Sequence, residues 1–148
     1  MGATLRIREV NIKDPLIQQA IVSLTLDTFA KNELTGPYEP STAGHWWVAF
    51  DGKLAVGYAG IQPSSRYADC GYLCLSGVLP SHRGMGLQKR FIKKRIERAR
   101  SLKWQAVFTE TICTNSPSMA SLIRCGFKPY TPAVPWGDPY AVYWRKQL

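Results

Sequence analysis

The stretch from Tyr72 to Ala99 constrains this chain more than any other. It opens with an apolar run to Val78, passes through Leu79 to Gly86 with Pro80, Gly84 and Gly86, and continues into a segment where Leu87, Phe91, Ile92, Ile96 and Ala99 recur at three- and four-residue intervals. The first part has the character of a buried strand, and the last has the one-sided apolar stripe of a helix lying on a core. The stretch therefore reads as a strand running through a glycine-containing loop into a helix. Glycines in the loop let backbone N–H groups approach an anion closely. The helix start adds unpaired N–H donors and a partial positive charge. With Arg83, Lys89 and Arg90 beside it, the loop suits a pyrophosphate.

The charge is concentrated in the same place. The chain carries 19 Lys and Arg against 10 Asp and Glu, a net +9. Arg83, Lys89, Arg90, Lys93, Lys94, Arg95, Arg98, Arg100 and Lys103 lie between Arg83 and Trp104, where Glu97 is the one acid. That segment alone supplies +8, so the remainder is close to neutral. Three explanations stay open: a solvated outer face whose late basic residues complement the helix dipole, an anion site at the helix start, and non-specific attraction to nucleic acid.

Around this centre the pattern predicts strand and helix in alternation. Leu5 and Ile7 alternate with Arg6 and Arg8, which reads as a first strand over residues 3–10. Asp14 and Pro15 form a helix start, cap then first position, and Leu16, Ile17, Ala20, Ile21, Leu24 and Phe29 mark its apolar face. The segment from Lys31 to Gly44 holds Gly36, Pro37 and Pro40 and reads as loop. His45–Phe50 and Lys53–Ile61, joined by Asp51 and Gly52, read as a hairpin. A strand over Ala106–Ile112 follows the basic helix, then a short helix opened by Asn115, Ser116 and Pro117 and closed at Gly126. Pro129, Pro132, Pro135 and Pro139 precede a last strand, Ala141–Arg145. The expected order is β-α-β-β-β-α-β-α-β in one domain, residues 1–148.

At 148 residues, the chain can bury about two-thirds of its unfolded surface and needs neither disulfide nor metal to fold. Cys70, Cys74, Cys113 and Cys125 fit no usual zinc spacing, so buried thiols are expected and no metal is assigned. No apolar run is long enough to cross a membrane, and the first ten residues, with Arg6, Arg8 and Glu9, suit neither a signal peptide nor myristoylation. The expectation is a soluble, cytoplasmic protein.

The segment from Val78 to Gln88 resembles the GCN5-related N-acetyltransferase (GNAT) family. That family's signature is Gln or Arg, two residues, Gly, one residue, then Gly or Ala. Arg83, Gly86 and Gln88 occupy those places, with Gln88 replacing the final small residue. Val78 and Pro80 match the entry to the loop, and Asn115 to Ser118 followed by Gly126 and Phe127 stand at the family's spacing. The resemblance covers roughly Trp46 to the C-terminus. It implies a GNAT fold, a central mixed and mostly antiparallel sheet flanked by helices on both faces, and acetyl-CoA as cofactor.

The resemblance also implies roles. The strand before the loop splays from its neighbour, and Leu75, Ser76 and Val78 pair with the pantetheine arm, the Val78 N–H donating to the thioester oxygen where charge grows. Amides from Arg83, Gly84, Met85, Gly86, Leu87 and Gln88 hold the pyrophosphate. Asn115 and Ser118 contact the far side of the cofactor, with plain helix capping the alternative for Asn115. The reaction is direct attack of an amine on the thioester. Where many members carry a thiolate-protonating Tyr, this chain has Leu122, and where the histone-acetylating branch has a Glu base it has Tyr72. Glu110 is the candidate base, with an ion pair as its other reading, and Tyr72 a candidate anchor or water relay. Trp46, Trp47, Tyr130, Trp136 and Tyr140 are candidates for an aromatic acceptor pocket, with packing the commoner role of each, and Glu33 and Glu39 for attracting an ammonium, with a nonspecific surface place as their other reading. The acceptor is the primary amine of a small molecule or protein. The alternatives are the amino group of a charged tRNA and a binding module that has lost catalysis. A homodimer is open.

Overall fold

A computed structural model of the chain describes residues 5–29 and 39–148. Its elements are β1 (Leu5–Val10), α1 (Pro15–Thr28), β2 (His45–Asp51), β3 (Leu54–Pro63), β4 (Gly71–Val78), α2 (Leu87–Ser101), β5 (Ala106–Ile112), α3 (Ser116–Arg124), β6 (Lys128–Tyr130) and β7 (Ala141–Gln147), with a 3-10 turn at Pro80–His82. The strands form one seven-stranded sheet in the order β1-β2-β3-β4-β5-β7-β6. Every neighbouring pair is antiparallel except β4 and β5. The expected fold class is therefore the observed one. The loop segment that holds Glu33 falls within residues 30–38, outside the described residues.

The helices divide between the two faces. Consecutive residues of a strand point to opposite sides, and Trp46 and Trp47 show it: Trp46 packs with Ile21 and Leu24 of α1, Trp47 with Phe91, Ile92 and Ile96 of α2. Both indoles are buried core, so of their two readings the packing one holds and neither lines an acceptor pocket. On α1 the buried face is Ile21, Leu24, Thr25 and Thr28, while Leu16 is 72% exposed. The threonines can face the core because their hydroxyls bond back to the Ile21 and Thr25 carbonyls at 2.8 and 3.2 Å, which satisfies the polar group inside the helix.

Two further expectations are corrected. Lys128–Tyr130 is an extra strand, missed because Pro129 interrupts it. It lies at the sheet edge, where a residue without an N–H is tolerated. The cysteines are all free, but only Cys70 is buried; Cys74 and Cys125 are half-buried and Cys113 is exposed. Among the described residues no helix is long and apolar enough to cross a membrane.

Candidate active site

β4 and β5 run side by side only at their starts, pairing Gly71 with Val107 and Tyr72 with Phe108. One more tie follows, from the Thr109 hydroxyl to the Leu73 carbonyl at 3.0 Å. Beyond it the strands part and leave a cleft of about 520 Å³. Leu73 to Ser76 form one wall and Thr109 to Ile112 the other. Gln88, Ile92 and Arg95 of α2 and Asn115, Ser118 and Leu122 of α3 also line it.

A bulge decides what β4 shows to this cleft. The register with β3 slips between Ala59 opposite Ser76 and Ile61 opposite Leu73, so Gly60 faces both Cys74 and Leu75. Above the bulge, the Leu79 N–H donates to the Val56 carbonyl at 2.8 Å. Antiparallel pairs alternate between bonded and non-bonded. The N–H groups of Ser76 and Val78 therefore point away from β3, toward the gap left by β5.

The loop end of the cleft is built from backbone. Gly84 and Gly86 have φ of 78° and 79°, the left-handed region that disfavours a side chain, and nothing would lie within 4 Å of a Cβ at either. Gly86 caps α2 with no side-chain hydrogen bond, and no acidic residue occupies the first turn. The amides there are left for an external acceptor. Leu87 contributes only its backbone, since its side chain is 2% exposed in the core. Gln88 turns toward β4, where its Oε1 accepts from the Ser76 hydroxyl at 3.2 Å.

Much of the nearby charge is committed elsewhere. Arg83 donates from Nε to the Val78 carbonyl at 3.1 Å and from Nη2 to the Thr28 carbonyl at 2.9 Å, tying the loop to α1. His82 bridges Asp51, at 2.8 Å from Nε2, and Ser81, at 2.7 Å from Nδ1, and so fixes the 3-10 turn to the β2–β3 hairpin. Arg90 bonds the Leu5 carbonyl, Arg98 pairs with Glu9, and Arg95 is buried. Lys89, Lys93, Lys94, Arg100 and Lys103 remain exposed. The basic segment is thus only partly the solvated face, or nucleic-acid surface, that its composition suggests.

The other end brings together side chains distant in sequence. The Tyr72 hydroxyl donates to Glu110 Oε1 at 3.0 Å. Burial, followed by the adjacent Glu110 charge, pushes the Tyr72 pKa well above its ordinary value, so the phenol stays protonated and acts as a donor. Glu110 makes no ion pair among the described residues, contrary to its alternative reading. Gly137 packs against it closely enough that a Cβ would collide with Oε2. The Gly137 N–H is held by the Tyr143 hydroxyl at 2.7 Å. The Trp136 indole N–H lies beside the Tyr72 hydroxyl but falls short of a hydrogen bond.

Trp136 and Tyr130 sit with Tyr67, Phe108 and Tyr143 in one aromatic cluster, whereas Tyr140 is 68% exposed. Glu39 reaches the cleft lining. Asn115 is a helix cap, its side chain accepting from the Ser118 N–H at 3.2 Å, and both residues line the cleft. Arg95 and Gly137 were not singled out from the sequence. Arg95 carried a signal, since it stands four and three residues after Phe91 and Ile92 on the apolar stripe. Gly137, in the proline-rich tail, carried none.

Comparison with known proteins agrees with this architecture. Residues 19–127 match the model of the Acetyltransferase (GNAT) family. No curated protein sequence matches significantly. Among solved structures, the ribosomal-protein-S18-alanine N-acetyltransferase of Escherichia coli aligns at 14% identity and a TM-score of 0.74, covering 97% of this chain and 94% of that one. The yncA protein of Salmonella typhimurium, solved with its cofactor acetyl-CoA, aligns at 17% identity and 0.71, covering 97% and 93%. An acetyltransferase of the GNAT family from Staphylococcus aureus Mu50 aligns at 14% and 0.76, covering 97% and 99%. At these identities the structural likeness speaks for the fold alone.

Proposed function

The chain belongs to the acetyltransferase (GNAT) family, and we propose that it moves an acetyl group from acetyl-CoA directly to a primary amine in the β4–β5 cleft. The observation that carries this reading is the parting of the two strands, which leaves the Ser76 and Val78 N–H groups facing a gap that leads to the uncapped start of α2. An extended pantetheine arm needs such main-chain partners, and a pyrophosphate needs such a helix start. The open space beside Gly84 and Gly86 fits it.

When bound, acetyl-CoA supplies an electrophilic thioester carbonyl and a thiol leaving group. The chain's own residues do the rest. Amides from Gly84 to Gln88 hold the pyrophosphate, Leu75 and Ser76 hold the arm, and the Val78 N–H donates to the thioester oxygen as charge develops there. Met85, more than half exposed, covers the loop from outside. Asn115 and Ser118 flank the arm from α3.

An alkyl ammonium of pKa about 10.4 costs roughly 4.6 kcal/mol to deprotonate at pH 7. Glu110 accepts that proton. Tyr72 fixes one Glu110 oxygen by its hydrogen bond, and the other, backed by Gly137, makes no hydrogen bond among the described residues and is the one that meets the amine. Glu39 adds negative charge to the same cleft, which suits a cationic acceptor. The reaction closes with the proton on Glu110 passing to solvent or to the leaving sulfur.

Calorimetric titration with acetyl-CoA, followed by free-thiol release with a panel of amines, tests the reading. Binding with amine-dependent thiol release is the expected result. A folded protein that binds no acetyl-CoA would overturn it.

A further inference from the structure

Among the described residues Arg95 is the one buried arginine, 2% exposed on the core side of α2. Its Nε donates to the Phe91 carbonyl and its Nη1 to the Gly60 carbonyl, both at 3.2 Å. Gly60 is the residue opposite the β4 bulge, so this contact steadies the place where β4 turns away. Both acceptors are neutral, and no carboxylate pairs with Arg95 among the described residues. Nη2 has no partner among them either, and the residue lines the cleft.

A buried charge with no counter-charge is costly. Burial pulls the Arg95 pKa down only to about 10, so the group remains a cation at neutral pH. Its neighbours do not compensate it: burial pushes the Cys74 thiol up to about 12, Cys125 lies near it on the α3 side, and no described carboxylate, Glu110 included, pairs with it.

The anion that would pair with Arg95 cannot be the pyrophosphate held at the start of α2. Arg95 lies eight residues beyond Leu87, about 12 Å along the helix axis, level with the inner part of the cleft where Cys74 and Leu73 form the wall. A planar guanidinium with a free edge matches a carboxylate best. We infer that the inner end of the cleft is a carboxylate site, and that the protein accepts a short acyl-CoA whose acyl chain ends in a carboxylate, such as a malonyl or succinyl thioester, in addition to acetyl-CoA. This rests on the reading of the cleft as a thioester site. The transfer is the same aminolysis: the amine nitrogen bonds to the thioester carbon, the carbon–sulfur bond breaks, and the sulfur leaves with its electron pair. The distal carboxylate takes no part in bond-making.

Calorimetry with the full chain separates the two ideas. Acetyl-CoA and free CoA establish the thioester site, and succinyl-CoA against butyryl-CoA isolates the carboxylate at equal carbon count. Wild-type protein is expected to bind succinyl-CoA ~10-fold more tightly than butyryl-CoA, as a charge-assisted hydrogen bond in a buried site would give. In Arg95→Met that ratio falls to about one, whatever happens to the absolute affinities. In Arg95→Lys, which keeps the charge and guards against a misfolded Met variant, it falls part of the way. Binding of acetyl-CoA with no preference for succinyl-CoA over butyryl-CoA overturns the inference and leaves the proposed function standing. A preference that survives Arg95→Met also overturns it. Absence of binding by every CoA species overturns both.

Discussion

The two ends of the cleft are built on opposite principles. At the loop end the donors are main-chain amides from one contiguous stretch, residues 78–88, with no carboxylate in the first turn of α2 and no side-chain cap. At the inner end the working groups are side chains drawn from β4, β5 and α2, Tyr72, Glu110 and Arg95, with the Gly137 backbone of the tail packed behind the carboxylate. The first arrangement can hold an anion but cannot move a proton. The second can accept a proton and orient an amine but offers few backbone donors. Holding the donor and activating the acceptor are therefore separable by mutation.

Gly86→Glu attacks the loop end with bulk, negative charge and backbone strain together. Acetyl-CoA binding should weaken by about a hundredfold or more, near 2.7 kcal/mol. Calorimetry on a protein shown to be folded by circular dichroism would measure it, and unchanged affinity would break the contrast at its root. Glu110→Gln should do the reverse: kcat lower by ~10²-fold, with the acetyl-CoA Kd hardly moved. Steady-state kinetics beside calorimetry would read both, and a Kd that shifted as far as kcat would mean that the ends are coupled. Gly137→Ala touches no substrate, yet its methyl would push the Glu110 carboxylate aside. A kcat about 10-fold lower, part of the cost of misplaced geometry, is expected, and wild-type kcat would show that Glu110 tolerates displacement. The smallest change sharpens the contrast from outside. Asp14 caps α1 by accepting from the Leu16 N–H at 2.9 Å, the service that α2 lacks. Asp14→Ala should lower stability by about 1 kcal/mol in a denaturant titration and leave acetyl-CoA affinity alone.

The same contrast explains what could be read from the sequence. The loop end is local, so a strand, a glycine pair and an amphipathic helix in succession announce it. The β2–β3 hairpin, the Asp14 and Asn115 caps and the limits of β5 were legible for the same reason. The inner end depends on which distant segments the sheet brings together. Tyr72 and Glu110 were each suspected, but their hydrogen bond joins β4 to β5, 38 residues apart, and no spacing rule encodes it. Arg95 stands among the basic residues of α2, and an arginine on such a helix usually faces water. Its place on the apolar stripe outranks its charge. Trp46 and Trp47 left the same kind of choice open: aromatic residues suit a ligand pocket and a core, and alternation along β2 sends one to the core on each face of the sheet.

The extra residue in β4 acts as a half-period delay in a repeating wave. Along a strand every second residue directs its N–H and C=O to the same neighbour. Below the bulge the Leu73 carbonyl faces β5 and meets Thr109; above it Ser76 and Val78 have that orientation instead. Odd numbers give way to even ones within three residues of chain. Deleting a single residue at Cys74 or Leu75 would restore the uninterrupted beat: Ser76 would stay opposite Ala59 and Val78 opposite Gly57, their amides still turned from β3, but the bend that the extra residue puts into β4 would go. β4 would then run on straighter beside β5, and the gap that the Ser76 and Val78 amides face would narrow.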